Sequence, residues 1–348
     1  MTTVFKRLIT YAGLCLALTL SCSGCAAKAA AQTAANSAPE NTAPENPARE
    51  EPLVPAQTGP STVYFTSDIS PSGLMAVYNA LEQKPDSATI ASGKVAVKIS
   101  TGEPPNSNYL RPELIKDLVQ SVNGTLVESN TAYGGRRAST ALHKQVARDH
   151  GFTAIASVDI LDENGSISLP VRGGSRLREN FVGSHFKNYD FFIVLSHFKG
   201  HAMAGLGGAI KNISIGIASS EGKSWIHTGG RSKTGIGGDQ NAFLDSMAEA
   251  GKAVVDSLGG KILYINVMNR LSVDCDCNGN PAEPDMHDIG ILASLDPVAL
   301  DKACVDLVYT APDGRSLIQR MESRNGLRAI NHGAEIGLGT VSYELVKL

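Results

Sequence analysis

The stretch SHFKGHAMAGLGGAIKN, residues 196–212, sets His197 and His201 four positions apart, with Gly205, Gly207, Gly208 and Lys211 close behind. Two imidazoles at that spacing would share one face of a helix and reach a single metal ion or reacting group. Gly200 lies between them and makes a regular helix doubtful, so the pair can instead flank a loop. In either geometry His197 and His201 are the candidate catalytic residues, placed to move a proton or hold a metal. The three glycines before a helix would offer exposed backbone N–H groups, with Lys211 one turn in, which outlines a site for a small anion such as a carboxylate or phosphate. The spacing is not that of a P-loop, and a turn with a solvated lysine is an equally weighted reading.

A second chemical stretch is VDCDCNGN, with Cys275 and Cys277 separated by one residue. A disulfide between them would close a very small ring, so a stable structural bridge is not expected, and a ligand pair or a redox couple remains. Thiolates suit zinc, copper(I) and iron, but two of them complete none of the common sites. Candidate partners are Asp274, Asp276, Asp285, His287 and Asp288 nearby in sequence, with His197, His201 and His227 on other loops. These residues define a candidate transition-metal site in which iron, an iron-sulfur cluster, zinc and nickel are not distinguished. Arg136, in SNTAYGGRRAST, follows a strand and is a candidate to clamp a carboxylate by paired hydrogen bonds. There is no Gly-x-Ser-x-Gly elbow, no His-Glu-x-x-His motif and no Gly-x-Gly-x-x-Gly fingerprint.

The elements that would carry these residues alternate. TVYFTSDIS, KVAVKIS, GTLVES, TAIASVDIL, SISLPV and YDFFIVLSHF read as strands, whereas PSGLMAVYNALEQ, RPELIKDLVQSV, STALHKQVARDHG and QNAFLDSMAEAGKAVVDSLGG read as helices. KILYINVMNRLS, DIGILAS and VSYELVKL add strands, with DPVALDKACVDLVYTA a helix before the last. Such alternation predicts an α/β fold with a mixed or mainly parallel sheet and helical crossovers, in one large or two closely packed subdomains. Cys304 falls at an inward position of the helix that Asp296 caps and Pro297 starts, and is expected in the core. His197 would then emerge at the carboxyl end of a buried strand, where ligands of open α/β sheets collect.

Composition bounds the partners. The 348 residues carry 31 basic and 34 acidic side chains, a formal net charge of −3, with no basic stripe of the kind that binds nucleic acid. At the N-terminus Lys6 and Arg7 precede LITYAGLCLALTL, an apolar run of signal-peptide length and too short to span a bilayer comfortably. SCSGCAAKAA follows, and Ser23-Gly24-Cys25 resembles a lipobox, making Cys25 the candidate lipidated residue and Cys22 the alternative. Residues 1–25 are therefore expected to be a lipoprotein-type signal, 26–60 an Ala/Pro/Glu linker that cannot bury enough apolar surface to fold, and 61–348 the folded domain. The expected location is the cell envelope, exported and tethered to a membrane through the N-terminal lipid.

VAVKIS, NTAYGG, SHFKGHAMAGLGGAIKN, NVMNRLSVDCDC and DIGILASLDPVALD together, in that order, resemble the family of domain of unknown function 362 over nearly all of residues 63–345. Many members carry a ferredoxin-like insertion with cysteine runs for iron-sulfur clusters, which this chain lacks. GHAMAGLGGAIKNISIGIAS also resembles the glycine-rich lysine segment of the nickel-pincer lactate racemases. That resemblance implies Lys211 against an anionic cofactor, with His197 and His201 as acid and base. The readings left open are a thiolate/imidazole metalloprotein acting on a small anionic ligand, with a redox protein as possible partner; a racemase- or isomerase-like enzyme; and a non-catalytic binder of metal or anion.

Overall fold

The computed structural model describes residues 59–81 and 87–348. The expected signal, lipobox and linker lie outside the described residues, apart from the last two linker positions. The chain begins with β1 (Ser61–Thr66), α1 (Pro71–Ala80), α2 (Ser87–Ser92) and β2 (Val95–Lys98). Two crossovers follow, α3 (Pro112–Ser121) to β3 (Thr125–Glu128) and α4 (Thr140–Asp149) to β4 (Val158–Ile160). A hairpin of β5 (Ser166–Pro170) and β6 (Glu179–Gly183) leads to β7 (Phe191–His197) and a second hairpin, β8 (Lys199–His201) and β9 (Gly205–Gly207). Then come α5 (Ala209–Ser214), α6 (Ser220–His227), α7 (Gln240–Leu258), β10 (Ile262–Met268), β11 (Gly290–Ser294), α8 (Pro297–Thr310), α9 (Arg315–Ser323), α10 (Leu327–Glu335) and β12 (Tyr343–Lys347).

Eight strands form one mixed sheet in the order β12-β1-β11-β10-β7-β2-β3-β4. Every strand but β11 runs in the same direction, because β11 is antiparallel to both of its neighbours. Helices cover both faces, so central strands are buried on both sides and read as unbroken apolar runs. Along β7, Phe192 and Val194 face one core while Phe191, Ile193 and Leu195 face the other; along β10, Ile262 and Tyr264 oppose Leu263, Ile265 and Val267. The first core is filled by α5, α7, α8 and α10, the second by α1, α3 and α4.

Local signals explain several boundaries. Asp239 caps α7, accepting from the Ala242 N–H at 2.8 Å, and left-handed Gly259 ends it. Asp296 accepts from Val298 and Ala299 at the start of α8, where Pro297 supplies the fixed φ of a first turn. Cys304 is fully buried, free and in contact with the Asn266 amide at 3.4 Å, as a core residue should be. The short pieces α2, β6, β8, β9, α6, α9 and α10 are not anticipated by the sequence, and the strand expected over residues 153–161 is extended only at Val158–Ile160. Among the described residues no helix is long and apolar enough to cross a membrane.

The chain order of the sheet decides where a ligand can enter. From β2 the strands proceed outward through β3 to β4, and from β7 they proceed the other way to β10. Crossovers on either side of the β2–β7 pair therefore diverge and leave a crevice at the carboxyl ends of those strands, a topological switch point. Lys98 ends β2, Glu128 ends β3 and His197 ends β7, all at that edge.

Candidate functional site

A cavity of about 370 Å³ opens at this edge, within the range of small-molecule sites. Its wall is unusually ionic. Lys98 donates to Glu128 at 2.9 Å and to Asn212 Oδ1 at 3.0 Å, although both charged partners are almost fully buried. Glu128 also receives Arg137 Nη1 at 3.3 Å, and Arg137 Nε reaches Glu103 at 3.1 Å. Burial works to raise the Glu128 carboxyl, but Lys98, His143 and Arg137 overcome it and hold it near about 2. The Arg137 Nη2, also buried, makes no hydrogen bond among the described residues. Lys211 lines the same cavity, and its ammonium has no hydrogen bond or ion pair among them either. Burial, with Arg137 and Lys98 nearby, lowers Lys211 to about 8. Lys223, whose ammonium rests on the Ala218 carbonyl at 2.5 Å, is lowered by burial to about 7. Four cations, Lys98, Arg137, Lys211 and Lys223, and three carboxylates, Glu128, Asp274 and Asp276, line the cavity; Asp276 is held by His197 and Lys199 and Asp274 by Arg320, so Glu128 is left to answer the four cations and Lys211 stays unused.

The histidines have distinct roles. His197 Nδ1 faces Asp276 Oδ2 at 3.0 Å and its Nε2 faces the Asn269 carbonyl at 2.7 Å. Both nitrogens are engaged, so this ring ties β7 to the 269–278 loop and presents no free nitrogen to a ligand. Asp276 in turn pairs with Lys199 at 3.0 Å; burial pushes its carboxyl up, but His197 and Lys199 prevail and hold it at about 2. His201 does not continue a helix with His197: β8 and β9 form a hairpin in which His201 pairs with Gly205. Its Nδ1 accepts from the Met203 and Ala204 N–H groups at 3.1 and 2.9 Å, and burial, reinforced by Lys211, keeps the ring neutral. The proton of His201 therefore sits on Nε2. His227 is the converse: its Nδ1 donates to the Lys223 carbonyl at 2.6 Å, burial lowers the ring to about 4, and the lone pair is left on Nε2. Its ring stacks on Phe243, with centroids 4.6 Å apart. Both His201 and His227 line the cavity.

Residues 95–306, more than half of the chain, match the family described as Domain of unknown function (DUF362). The chain belongs to this family. No curated protein matches it. Among solved structures, the lactate racemase apoprotein from Thermoanaerobacterium thermosaccharolyticum is similar at 14% identity with a TM-score of 0.42, over 73% of this chain and 57% of that one. A Thermotoga maritima protein is similar at 11% identity with a TM-score of 0.37, over 76% of this chain and 57% of that one. The chain thus spans less than two thirds of the length of either.

Other predicted site residues of this DUF362 member divide. Gly207 and Gly208 line the cavity, whereas Gly205 is absent from its wall and packs against Gly326. At the start of α5 the Ala209 and Ile210 N–H groups are taken by Asp301, at 2.7 Å and 3.0 Å. A Cβ at Gly208 would collide with that carboxylate, which explains the glycine. Arg136 is exposed and contributes its backbone N–H to Glu103 at 2.5 Å, and Arg137 is the arginine of the wall. His287 is outside the cavity, paired with Asp313 at 2.7 Å.

Cys275 and Cys277 do line the cavity, and their sulfurs and a ring nitrogen of His201 all lie within 4.8 Å of one another. The expectation that a Cys-x-Cys bridge would not form is corrected: the two are joined in a disulfide. A turn closed by the Asn278 N–H on the Cys275 carbonyl at 3.0 Å brings their Cα atoms to 5.3 Å, inside the range a disulfide spans. In this form the trio does not fit a metal ion. The sulfurs are not thiolates, and the lone pair of His201 is committed to two backbone N–H groups. The residues overlooked in the sequence, Lys98, Glu128 and Lys223, had a signal in two cases: a lysine and a glutamate each end an otherwise apolar strand, in VAVK and TLVE.

Proposed function

We propose that the protein binds a small carboxylate bearing an adjacent hydroxyl or carbonyl group and moves a proton on it, in acid–base chemistry of the isomerase type. The observation that carries this reading is the pair of neutral imidazoles on the wall of a cationic cavity, one presenting an Nε2–H and the other an Nε2 lone pair. The unpartnered Lys211 and the free Nη2 of Arg137 would hold the carboxylate. His227 would accept a proton from the ligand while His201 donates to the neighbouring oxygen. A bound anion supplies the negative charge that the site lacks, which raises the basicity of His227 when substrate is present.

The test is calorimetry with a panel of 2-hydroxy and 2-oxo carboxylates, combined with proton NMR in D2O to follow deuterium entering carbons beside the carbonyl or bearing the hydroxyl. Wild type should bind and exchange. His227→Gln and His201→Gln should retain affinity within a few-fold and lose at least about tenfold in exchange, the lower part of what acid–base catalysis contributes. Binding without exchange reduces the protein to a non-catalytic anion binder, and no binding removes the reading.

Export and lipid anchoring are supported by the N-terminal sequence alone and are proposed on that basis. Cys25→Ala should release the protein from the membrane fraction; if Cys22→Ala does so instead, the anchor is three residues upstream.

A further inference from the structure

The cavity holds a reactive group that acid–base chemistry leaves unused. Both members of the Cys275–Cys277 disulfide are half-buried and face the same space as Lys211 and Arg137. The Cys277 N–H points at Cys275 Sγ, 3.3 Å away. A hydrogen bond to sulfur, with cations nearby, stabilises a thiolate and makes that sulfur the better leaving group. The loop around the pair is held independently of the S–S bond. Asp276 between the cysteines is pinned by His197 and Lys199, its carbonyl accepts from the Glu103 N–H at 2.8 Å, and Arg320 donates to the Val273 carbonyl at 2.8 Å and Asp274 at 2.9 Å. Opening the disulfide therefore leaves two sulfurs that remain neighbours and can rejoin.

We propose that the Cys275–Cys277 disulfide is a thiol-exchange site for a small anionic thiol drawn in by the cationic wall. The thiolate attacks Cys277 Sγ; the S–S bond breaks and its electron pair leaves on Cys275 Sγ as a thiolate, beside the Cys277 N–H. A second molecule of the thiol attacks the mixed disulfide and releases Cys277 as a thiolate. Two thiols are oxidised to one disulfide, the protein pair is reduced by two electrons, and the two protons from the incoming thiols end in solvent or on the new protein thiols. The reverse sequence reduces a small anionic disulfide. A cavity of about 370 Å³ accommodates such molecules.

The experiment compares 2-mercaptoethanesulfonate, an anionic thiol, with cysteamine, a cationic one, as reductants of the full-length protein, trapping thiols with iodoacetamide and following the 275/277 peptide by mass spectrometry. The same ratio of rates measured in urea-unfolded protein removes the intrinsic difference between the two thiols. In the folded protein the anionic preference should exceed the unfolded ratio by at least about tenfold, the lower end of electrostatic focusing in a charged cleft. Lys211→Met should collapse that excess, and so should raised salt on wild type, which keeps the test independent of how the variant folds. Equal ratios in folded and unfolded protein overturn the proposal, as does a disulfide that resists both thiols until urea is added. The inference shares only the cationic cavity with the acid–base reading: thiol exchange that survives in His227→Gln supports this site, and wild type that exchanges thiols but turns over no carboxylate removes the other reading alone.

Discussion

Replacing Lys211 by methionine separates the anion-binding reading from its alternatives. The ammonium lies on the cavity wall without a hydrogen bond or ion pair among the described residues, so its loss breaks no structural contact of that kind. A hydrogen bond from a charged donor to a bound carboxylate contributes about 1.5–3 kcal/mol. Lys211→Met should therefore weaken binding of a probe such as pyruvate by about 10- to 150-fold at pH 7. The wild type adds a second signature, since with Lys211 held down to about 8 the free protein carries the ammonium in about nine molecules of ten at pH 7 and one in ten at pH 9. Affinity should fall about tenfold across that window, and calorimetry in buffers of different ionisation enthalpy should show proton uptake on binding near pH 8 to 9. In the variant this dependence disappears, and any residual trend centred near 7 belongs to Lys223.

The same substitution should raise the melting temperature, because the folded state no longer holds a half-buried cation that no carboxylate pairs with among the described residues. A variant that is more stable and binds less cannot be dismissed as misfolded. The reasoning is refuted if Lys211→Met binds the probe as tightly as wild type, or if wild-type affinity is unchanged between pH 7 and 9.

Glu128→Gln should act in the opposite sense on stability, since Lys98 and Arg137 would lose their shared buried charge; a loss of about 3–5 kcal/mol by urea titration is expected, and a loss under 1 kcal/mol would show that the pairing is unimportant. Acid should also unfold the protein. Glu128 and Asp276, both held near about 2 in the fold, lose their contribution as pH drops below the ordinary carboxylate range. His227 at about 4 and His143 at about 3, both lowered by burial, refuse protons that the unfolded chain accepts below 6.5, so they too remove stability as pH falls. Asp301, raised by burial to about 6, runs the other way: it favours the fold at low pH and loses that contribution as pH rises through 6. Thermal melts from pH 7 to 3 should show a steady decline, and a flat profile would contradict these assignments.

Much of the architecture was legible because burial on both faces writes a strand as a continuous apolar run, and FFIVL and ILYINVM could hardly be placed elsewhere than in the centre of a sheet. The helices with strong caps, α7 and α8, were equally plain. The pieces that escaped are short and earn their structure from tertiary contacts. The β8–β9 hairpin is three residues on each side, and Gly205 closes it only because it approaches Gly326 where no Cβ fits. The site was half legible. His201, Lys211, His227 and the two cysteines stand out as chemical types in loops, and the fold brings them to one cavity. Arg136 and Arg137 are adjacent and chemically identical in sequence, and only the turn after β3 decides that Arg137 points inward to Glu103 and Glu128.

The histidine pair shows why spacing alone misleads about roles. His197 and His201 are four apart, which suggests two groups acting together on one ligand, yet they lie on successive strands and do different work. His197 has an acceptor on each nitrogen and closes the Asp276 loop; His201 accepts from two backbone N–H groups and keeps its proton toward the cavity. The partner that complements His201 is His227, 26 positions later and on helix α6, because its Nδ1–H is spent on the carbonyl one turn back. What sets the chemistry of each ring is the identity of the group opposite Nδ1. An acceptor there frees a lone pair on Nε2, two donors there fix a proton on Nε2, and an acceptor on both sides removes the ring from the reaction altogether. A substitution that removed the Asp276 carboxylate should accordingly disturb the 269–278 loop before it disturbed any proton transfer, whereas a change at His227 should do the reverse.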